Sequence, residues 1–279
     1  MSAVRAPAWP ARLGHVLGRL AARRLARDAP PGVPVLTYHS VADGGEGLPD
    51  RYRIAPAQFA RQVELLERYG FRPVTLDTLF ATLDGDPAGA AGHPVVLTFD
   101  DGYADFHAEA LPVLRRHRCP AAVFLVTDLV GGEASWDLAP GVIRGPRLMS
   151  WPEIREAAGQ GVEFHSHGCR HPRLSRVPPE VAAREVRGSK RAIEEALGRP
   201  VRYFCYPHGD AGAHTRAEVR AAGYRAAFST EVGLTAAAQD RFFLRRVKAR
   251  PADSLADFAA KLHTGWGVRD TFRHLRGGA

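Results

Sequence analysis

Two short stretches of this chain carry residue types that can do chemistry. The first is Thr98-Phe99-Asp100-Asp101-Gly102, an apolar run that ends in two carboxylates and a glycine. Alternation along a strand sends neighbouring side chains to opposite faces. At a strand end that constraint relaxes, and Gly102 permits a turn that brings both acids to one site, where one can hold a cation and the other take a proton. Taken alone, an Asp-Asp pair at a strand end is more often a solvated turn or a helix cap, and the histidines downstream are what favour a site. The second stretch, Glu163-Phe164-His165-Ser166-His167-Gly168-Cys169-Arg170-His171-Pro172, sets three imidazoles at the end of another β-rich run. His167 and His171 have the i, i+4 spacing of a helical zinc pair, but Gly168 and Pro172 disfavour a helix and no Glu follows His167. In a loop the two can still close on a metal whose third ligand is a carboxylate, leaving positions open for water and substrate. His165 alternates with His167, which makes it a candidate contact to a ligand or to substrate and not a ligand itself.

The elements that must position these residues alternate in type. Strand-like runs fall at 35–38, 95–99, 122–126, 162–166, 203–206, 226–229 and 244–248. Helical periodicity lies between them: at 58–69, through Ala110, Val113 and Leu114, at 154–158 after the Ser150/Glu153 capping pattern, and at 180–197, 215–222 and 255–262. About seven βα units predict an α/β fold with a parallel barrel more than an open sheet, and such barrels keep their chemistry at the C-terminal ends of the strands. The connection after Gly131-Gly132 is long enough to be a functional loop at the mouth of a site.

With 279 residues, 45% hydrophobic and 24% charged, the chain is long enough for one large domain. The net charge of +8 is concentrated in part at the start, where Arg5, Arg12, Arg19, Arg23, Arg24 and Arg27 occur without an intervening acid. Leu13, Val16, Leu17, Leu20 and Leu25 stand near helical spacing there, so residues 1–32 read as a basic extension that packs on the body or makes peripheral contact with an anionic membrane. Residues 33–265 read as the catalytic domain and 266–279 as a basic tail. Arg, His or Gly interrupts every early apolar stretch that a secretory signal would need, so the expected location is the cytoplasm, at the inner face of the membrane. Three cysteines, Cys119, Cys169 and Cys205, give no disulfide framework, and Cys169 reads as a small filler between the histidines and not a fourth ligand.

The pairing of T-F-D-D-G with a downstream H-G-C-R-H-P resembles the polysaccharide deacetylase family (NodB homology, carbohydrate esterase family 4) from about Val33 to Leu262. That resemblance implies a distorted (β/α)7 barrel of the NodB type. It implies one divalent metal ion on Asp101, His167 and His171, commonly zinc, with cobalt or nickel as alternatives, and Asp100 as the base that activates water. Tyr203-Phe204-Cys205-Tyr206-Pro207-His208-Gly209 is similar to the family's groove motif, in which Tyr206 lines the groove and His208 supplies a backbone N–H to the oxyanion. Many members carry Arg where Cys205 stands. The two C-terminal motifs found in many members have no counterpart after Ala226, so the acid is sought in Leu36-Thr37-Tyr38-His39-Ser40, where His39 matches a variant group. Arg246 resembles a late arginine of the same group that orients the base.

Trp151, with Trp136 and Tyr103, is a candidate for stacking on sugar rings. The expected substrate is an N-acetylated glycan or glycolipid, with no nucleic-acid partner. Two other readings stay open at this point: hydrolysis of another C–N bond, as in a deformylase or an allantoinase-like enzyme, and a glycan-binding module without turnover.

Overall fold

The computed structural model describes residues 32–44, 47–86, 92–138 and 141–268. The basic extension over 1–31 and the end of the tail lie outside them, and with them the expected membrane contact. Strands β1 (Val35–Tyr38), β5 (His93–Phe99), β6 (Ala122–Leu125), β7 (Glu163–Ser166), β8 (Tyr203–Cys205), β9 (Ala226–Val232) and β10 (Leu244–Lys248) are all parallel. β1 pairs with β10 on one side and β5 on the other, which closes these seven strands into a barrel. The expected α/β barrel is the observed fold.

Hydrophobic alternation divides the interior in two. Leu36, Tyr38, Leu97, Phe99, Val123, Phe164, Phe204 and Val247 face outward into the larger core, beneath the helices. Val35, Val96, Phe124, Tyr203, Cys205, Phe228 and Leu244 face inward and fill the lumen. Burying each large apolar side chain contributes roughly 1.5–3 kcal/mol relative to exposure, so both layers are needed to hold short strands in place.

The outer ring contains α1 (Pro56–Arg68), α3 (Leu111–Arg116), α4 (Trp151–Gly159), α5 (Pro179–Leu197), α6 (Ala213–Ala221) and α7 (Leu255–Thr264). Ser150 caps α4 in a capping box with Glu153, as the sequence predicts, and Ser254 does the same for α7 with Asp257. Four short elements were not anticipated: β2 (Ser40–Val41), β3 (Arg53–Ile54), β4 (Phe71–Pro73) and α2 (Leu76–Leu83). α2 inserts Leu76, Leu79 and Phe80 among the lumen residues, and Glu163 at the start of β7 accepts the Leu76 N–H at 3.0 Å. It therefore plugs the N-terminal end of the barrel, leaving the C-terminal end open.

The long connection after Gly131 has a small core of its own, in which Leu48, Tyr103, Ala134 and Leu148 pack with Tyr52, Leu129 and Trp136. Among the described residues, no helix is long and apolar enough to cross a membrane.

Candidate active site

At the end of β5 the alternation continues through Thr98 and Asp100, and Asp101 then breaks it. Asp101 has φ 73° and Gly102 φ 79°, so the turn begins in the aspartate itself, one residue before the expected glycine. Aspartate tolerates this left-handed conformation better than most residues, and non-glycine residues held there cluster at functional sites. Gly102 is fixed for a second reason: a Cβ added there would stand 2.7 Å from Leu125 Cδ2. The outcome is that both carboxylates face the open end of the barrel.

β7 ends in the same manner. Gly168 has φ 83° and His171 has φ 64°, and the loop between them returns His171 to the side of His167. Asp101 Oδ1 lies 3.5 Å from His167 Nε2 and 3.4 Å from His171 Nε2, and the two Nε2 atoms are 3.2 Å apart. A tetrahedral zinc with ligands at about 2.0–2.1 Å needs donor atoms roughly 3.3 Å from one another. The three side chains are buried, and Asp101 Oδ1 has no hydrogen-bond partner among the described residues. His167 Nδ1 stands 2.7 Å from the carbonyl oxygen of Cys205, which only a protonated Nδ1 can satisfy. Its Nε2 is then a bare lone pair aimed at the other two donors, the arrangement expected of an oriented metal-ligating histidine. These residues fit a divalent cation on donor type, spacing and tautomer.

Electrostatics agree with that fit. Burial, with Asp100 adding to it, pushes the Asp101 carboxyl up to about 8, while the nearby Tyr103 and Trp136 pull the other way. The Tyr103 hydroxyl itself falls outside ordinary hydrogen-bond geometry. Burial lowers His167 to about 4 and drives His171 far below its usual range, with His167 and His208 adding to the latter. Two buried imidazoles that resist protonation, and one carboxylate that resists ionisation, would be stabilised together by a cation.

Asp100 has the opposite surroundings. Arg246 on β10 donates from Nη1 to Oδ1 at 2.8 Å and from Nη2 to Oδ2 at 2.7 Å, and is fixed in turn by Thr98 Oγ1 at 3.1 Å and by the Ser229 carbonyl at 3.1 Å. Burial alone would raise the Asp100 carboxyl, but the Arg246 charge and its two hydrogen bonds outweigh burial and hold it well below the usual carboxylate range. Cys205 Sγ sits 3.0 Å from Arg246 Nη2. The resemblance implies an arginine at position 205 in many members; this chain has Cys205 there and brings Arg246 beside it from another strand.

The site opens into a cleft of about 650 Å³ whose walls include His39, Tyr52, Trp136, Tyr206, His208 and Lys248. His39 follows β1 and packs on Tyr52 with ring centroids 4.8 Å apart. Burial lowers its pKa to about 4; Asp100 opposes this, and Arg246, His167 and Lys248 reinforce it. Asp100 is the carboxylate near His39, but its charge does not offset the effect of burial.

With this geometry in view, residues 89–227 match the family model described as polysaccharide deacetylase. The chain belongs to the polysaccharide deacetylase family. It is 25% identical over 239 residues to Bacillus subtilis (strain 168) YxkH, provisionally named a polysaccharide deacetylase, covering 85% of this chain and 78% of YxkH. It is 26% identical to the poly-beta-1,6-N-acetyl-D-glucosamine N-deacetylase of Escherichia coli (strain K12), across 84% of this chain but only 39% of that enzyme. Among solved structures, IcaB from Ammonifex degensii superposes with a TM-score of 0.66 at 26% identity, over 83% of this chain and 98% of IcaB. The Streptococcus pyogenes deacetylase PplD, in complex with acetate, shares the fold with a TM-score of 0.71 at 22% identity, over 84% of this chain and 99% of PplD.

Within this deacetylase scaffold some sequence candidates change place. Trp151 does not line the cleft: as the first residue of α4 it packs against the main core. Trp136 occupies the mouth instead and stacks on His171 with centroids 4.5 Å apart. His165 faces the lumen below the site, edge-on to Tyr203 at 4.9 Å, and among the described residues neither of its ring nitrogens has a hydrogen-bond partner, so it orients none of Asp101, His167 and His171 by a hydrogen bond. Cys169 turns its sulfur toward α5, 3.6 Å from the Glu185 carbonyl, in keeping with a filler. Tyr206 lines the cleft with its hydroxyl donating to the Phe242 carbonyl at 2.9 Å. His208, at φ 57°, places its Nε2 3.2 Å from the His171 carbonyl and its Nδ1 3.5 Å from Asp137.

Sequence reading missed two positioning residues. Glu185 on α5 is buried and accepts the N–H groups of Cys169 at 2.7 Å and Arg170 at 2.9 Å, pinning the loop between His167 and His171. Asp105, four residues after Asp101, accepts from the Ser40 hydroxyl and from the Val41 N–H at 3.2 Å, which anchors the segment carrying His39. The only available signal was an acid among the inward positions of an amphipathic helix, and that applies to Glu185 alone.

Proposed function

We propose that this member of the family is a divalent-metal-dependent N-deacetylase that hydrolyses the acetamido group of a hexosamine within a glycan or glycolipid. The observation that carries the reading is the juxtaposition of two unlike carboxylates: Asp101 converging with His167 and His171, and Asp100 locked beside it as an anion by Arg246. A glycan-binding module has no need for a buried base next to three free donors.

When bound by Asp101, His167 and His171, a divalent cation, zinc above all, supplies Lewis acidity toward the amide oxygen and makes water more acidic. The remaining work falls to the chain. Asp100 is ionised at neutral pH and takes a proton from the attacking water. Arg246 keeps both Asp100 oxygens in a fixed plane, so a base weakened by its partner gains in orientation. His208, in a left-handed turn on the wall of the cleft, would offer its backbone N–H to the acetyl oxygen as charge develops there. His39 gives the departing nitrogen its proton. Because burial leaves it neutral at rest, His39 takes over the proton that Asp100 removed from the water and passes it to the nitrogen as the carbon–nitrogen bond breaks, and its low basicity makes it a ready donor.

Names among the relatives support the substrate class, since the E. coli enzyme is named for poly-beta-1,6-N-acetyl-D-glucosamine. The test is acetate release from short N-acetylglucosamine oligomers by zinc-loaded protein and by Asp100→Asn. Full zinc occupancy with at least a hundredfold loss of acetate release is the expected result for the variant. Metal binding without acetate release from wild type would assign the scaffold to another C–N bond.

A further inference from the structure

The wall of the cleft made by β1 and β10 is charged in a manner that cleavage of a neutral acetamide does not require. β1 and β10 run in register with Thr37 opposite Lys248. Alternation puts Thr37 on the lumen side of β1, and Arg246 and Lys248 on the lumen side of β10. The Arg246 charge is matched by Asp100, but Lys248 and Arg250, which both line the cleft, form no ion pair among the described residues. The adjacent carboxylate, Asp253, is already held by Lys261 and by the Arg250 N–H. Lys248 is half-buried, so its charge is incompletely screened by water. Beside it, Thr37 is 3% exposed, lines the same cleft, and its hydroxyl has no hydrogen-bond partner among the described residues. Asp137, which among the described residues is the remaining carboxylate of the cleft besides Asp100 and Asp101, is turned to Tyr52 and His208.

A buried hydroxyl without a partner and two cations without counter-ions, side by side in a substrate cleft, constitute a subsite for an anionic oxygen. We propose that Thr37, Lys248 and Arg250 bind a carboxylate or phosphate carried by the glycan next to the N-acetylated sugar, so that the preferred substrate is acidic. This rests on the deacetylase reading above and specifies its substrate class. A uronate residue and a phosphoryl substituent share the required chemistry, and the assay separates them.

The experiment compares zinc-loaded full-length protein on three probes: neutral chitotriose, an oligosaccharide of alternating glucuronate and N-acetylglucosamine, and N-acetylglucosamine 1-phosphate. One charge-assisted contact of this kind is worth roughly tenfold or more in kcat/KM. One of the anionic probes is therefore expected to exceed chitotriose by about that factor at low salt, with the advantage shrinking as salt rises. Which probe gains identifies the anion. Lys248→Met and Thr37→Val are expected to collapse the ratio of anionic to neutral turnover, and Lys248→Arg to preserve it. Equal use of all three probes, or a ratio unmoved by Lys248→Met, overturns the subsite while leaving deacetylation in place. If no probe yields acetate, the deacetylase reading is what fails, and calorimetric binding of the anionic probes decides the subsite separately. Binding that Lys248→Met abolishes supports it, and no binding to wild type overturns it.

Discussion

Arg246 and Asp100 come from strands separated by β1 and meet as a two-bonded pair at 2.8 and 2.7 Å, with side-chain exposures of 1% and 3%. Removing one member of such a buried pair leaves the other charge without compensation, typically at about 3–5 kcal/mol. Arg246→Met is expected to lose stability of that order in urea unfolding, and Asp100→Asn in the same background to recover part of it. Arg246→Lys keeps the charge but not the planar fork, so it is expected to fold and to lose at least about tenfold in kcat. Additive losses in the double variant would show that the pair does not act as a unit.

The loop from His167 to His171 is held from outside by Glu185. Glu185→Ala is expected to weaken zinc affinity about 10- to 100-fold, the usual effect of losing a contact that orients a ligand, while activity at saturating zinc falls much less. A competition titration against a chromophoric chelator checks this. Unchanged affinity would mean that the loop keeps its shape through Thr127 and Asp128, whose N–H groups bond the Gly168 and Cys169 carbonyls.

At the closed end of the barrel, burial, with Asp77 adding to it, raises the Glu163 carboxyl to about 7 against the opposing Leu76 N–H and Arg202. The folded protein therefore holds this proton more tightly than the unfolded chain, where the ordinary value is 4.5. The resulting stability is complete below the unfolded value and is lost as pH rises through about 7. Glu163→Gln keeps an acceptor for Leu76 without the titration. The Tm of wild type relative to the variant should thus fall between pH 5 and pH 8, and a difference independent of pH would contradict the assignment.

Much of the framework was legible because both signals, alternation and helical period, are strong where an element is buried on one side. Val95 to Phe99, Leu244 to Lys248 and the long helix ending at Leu197 were readable for that reason. β4 and α2 were not: three residues ending in Pro73 give no alternation, and an eight-residue helix gives little periodicity. The bearing of Asp101 and His171 was visible only as a motif. Their left-handed backbone is imposed by the turns around them and is not written in the residue types. Arg246 and its two-point contact with Asp100 were expected from the resemblance, whereas the barrel closure through β1 that brings the two strands together was not visible in the residues themselves. Asp105 and the Thr37–Lys248 pairing are properties of register, which a single sequence does not display.

The central claim is that Asp101, His167 and His171 hold the cation on which deacetylation depends. The most direct measurement strips the protein of metal, titrates zinc back, and follows bound zinc and acetate release together in wild type and Asp101→Ala. Wild type is expected to gain activity in proportion to the first equivalent of zinc, and Asp101→Ala to gain neither at the same concentrations. Acetate release that is full without metal, or zinc that binds and activates equally well in Asp101→Ala, would contradict the account.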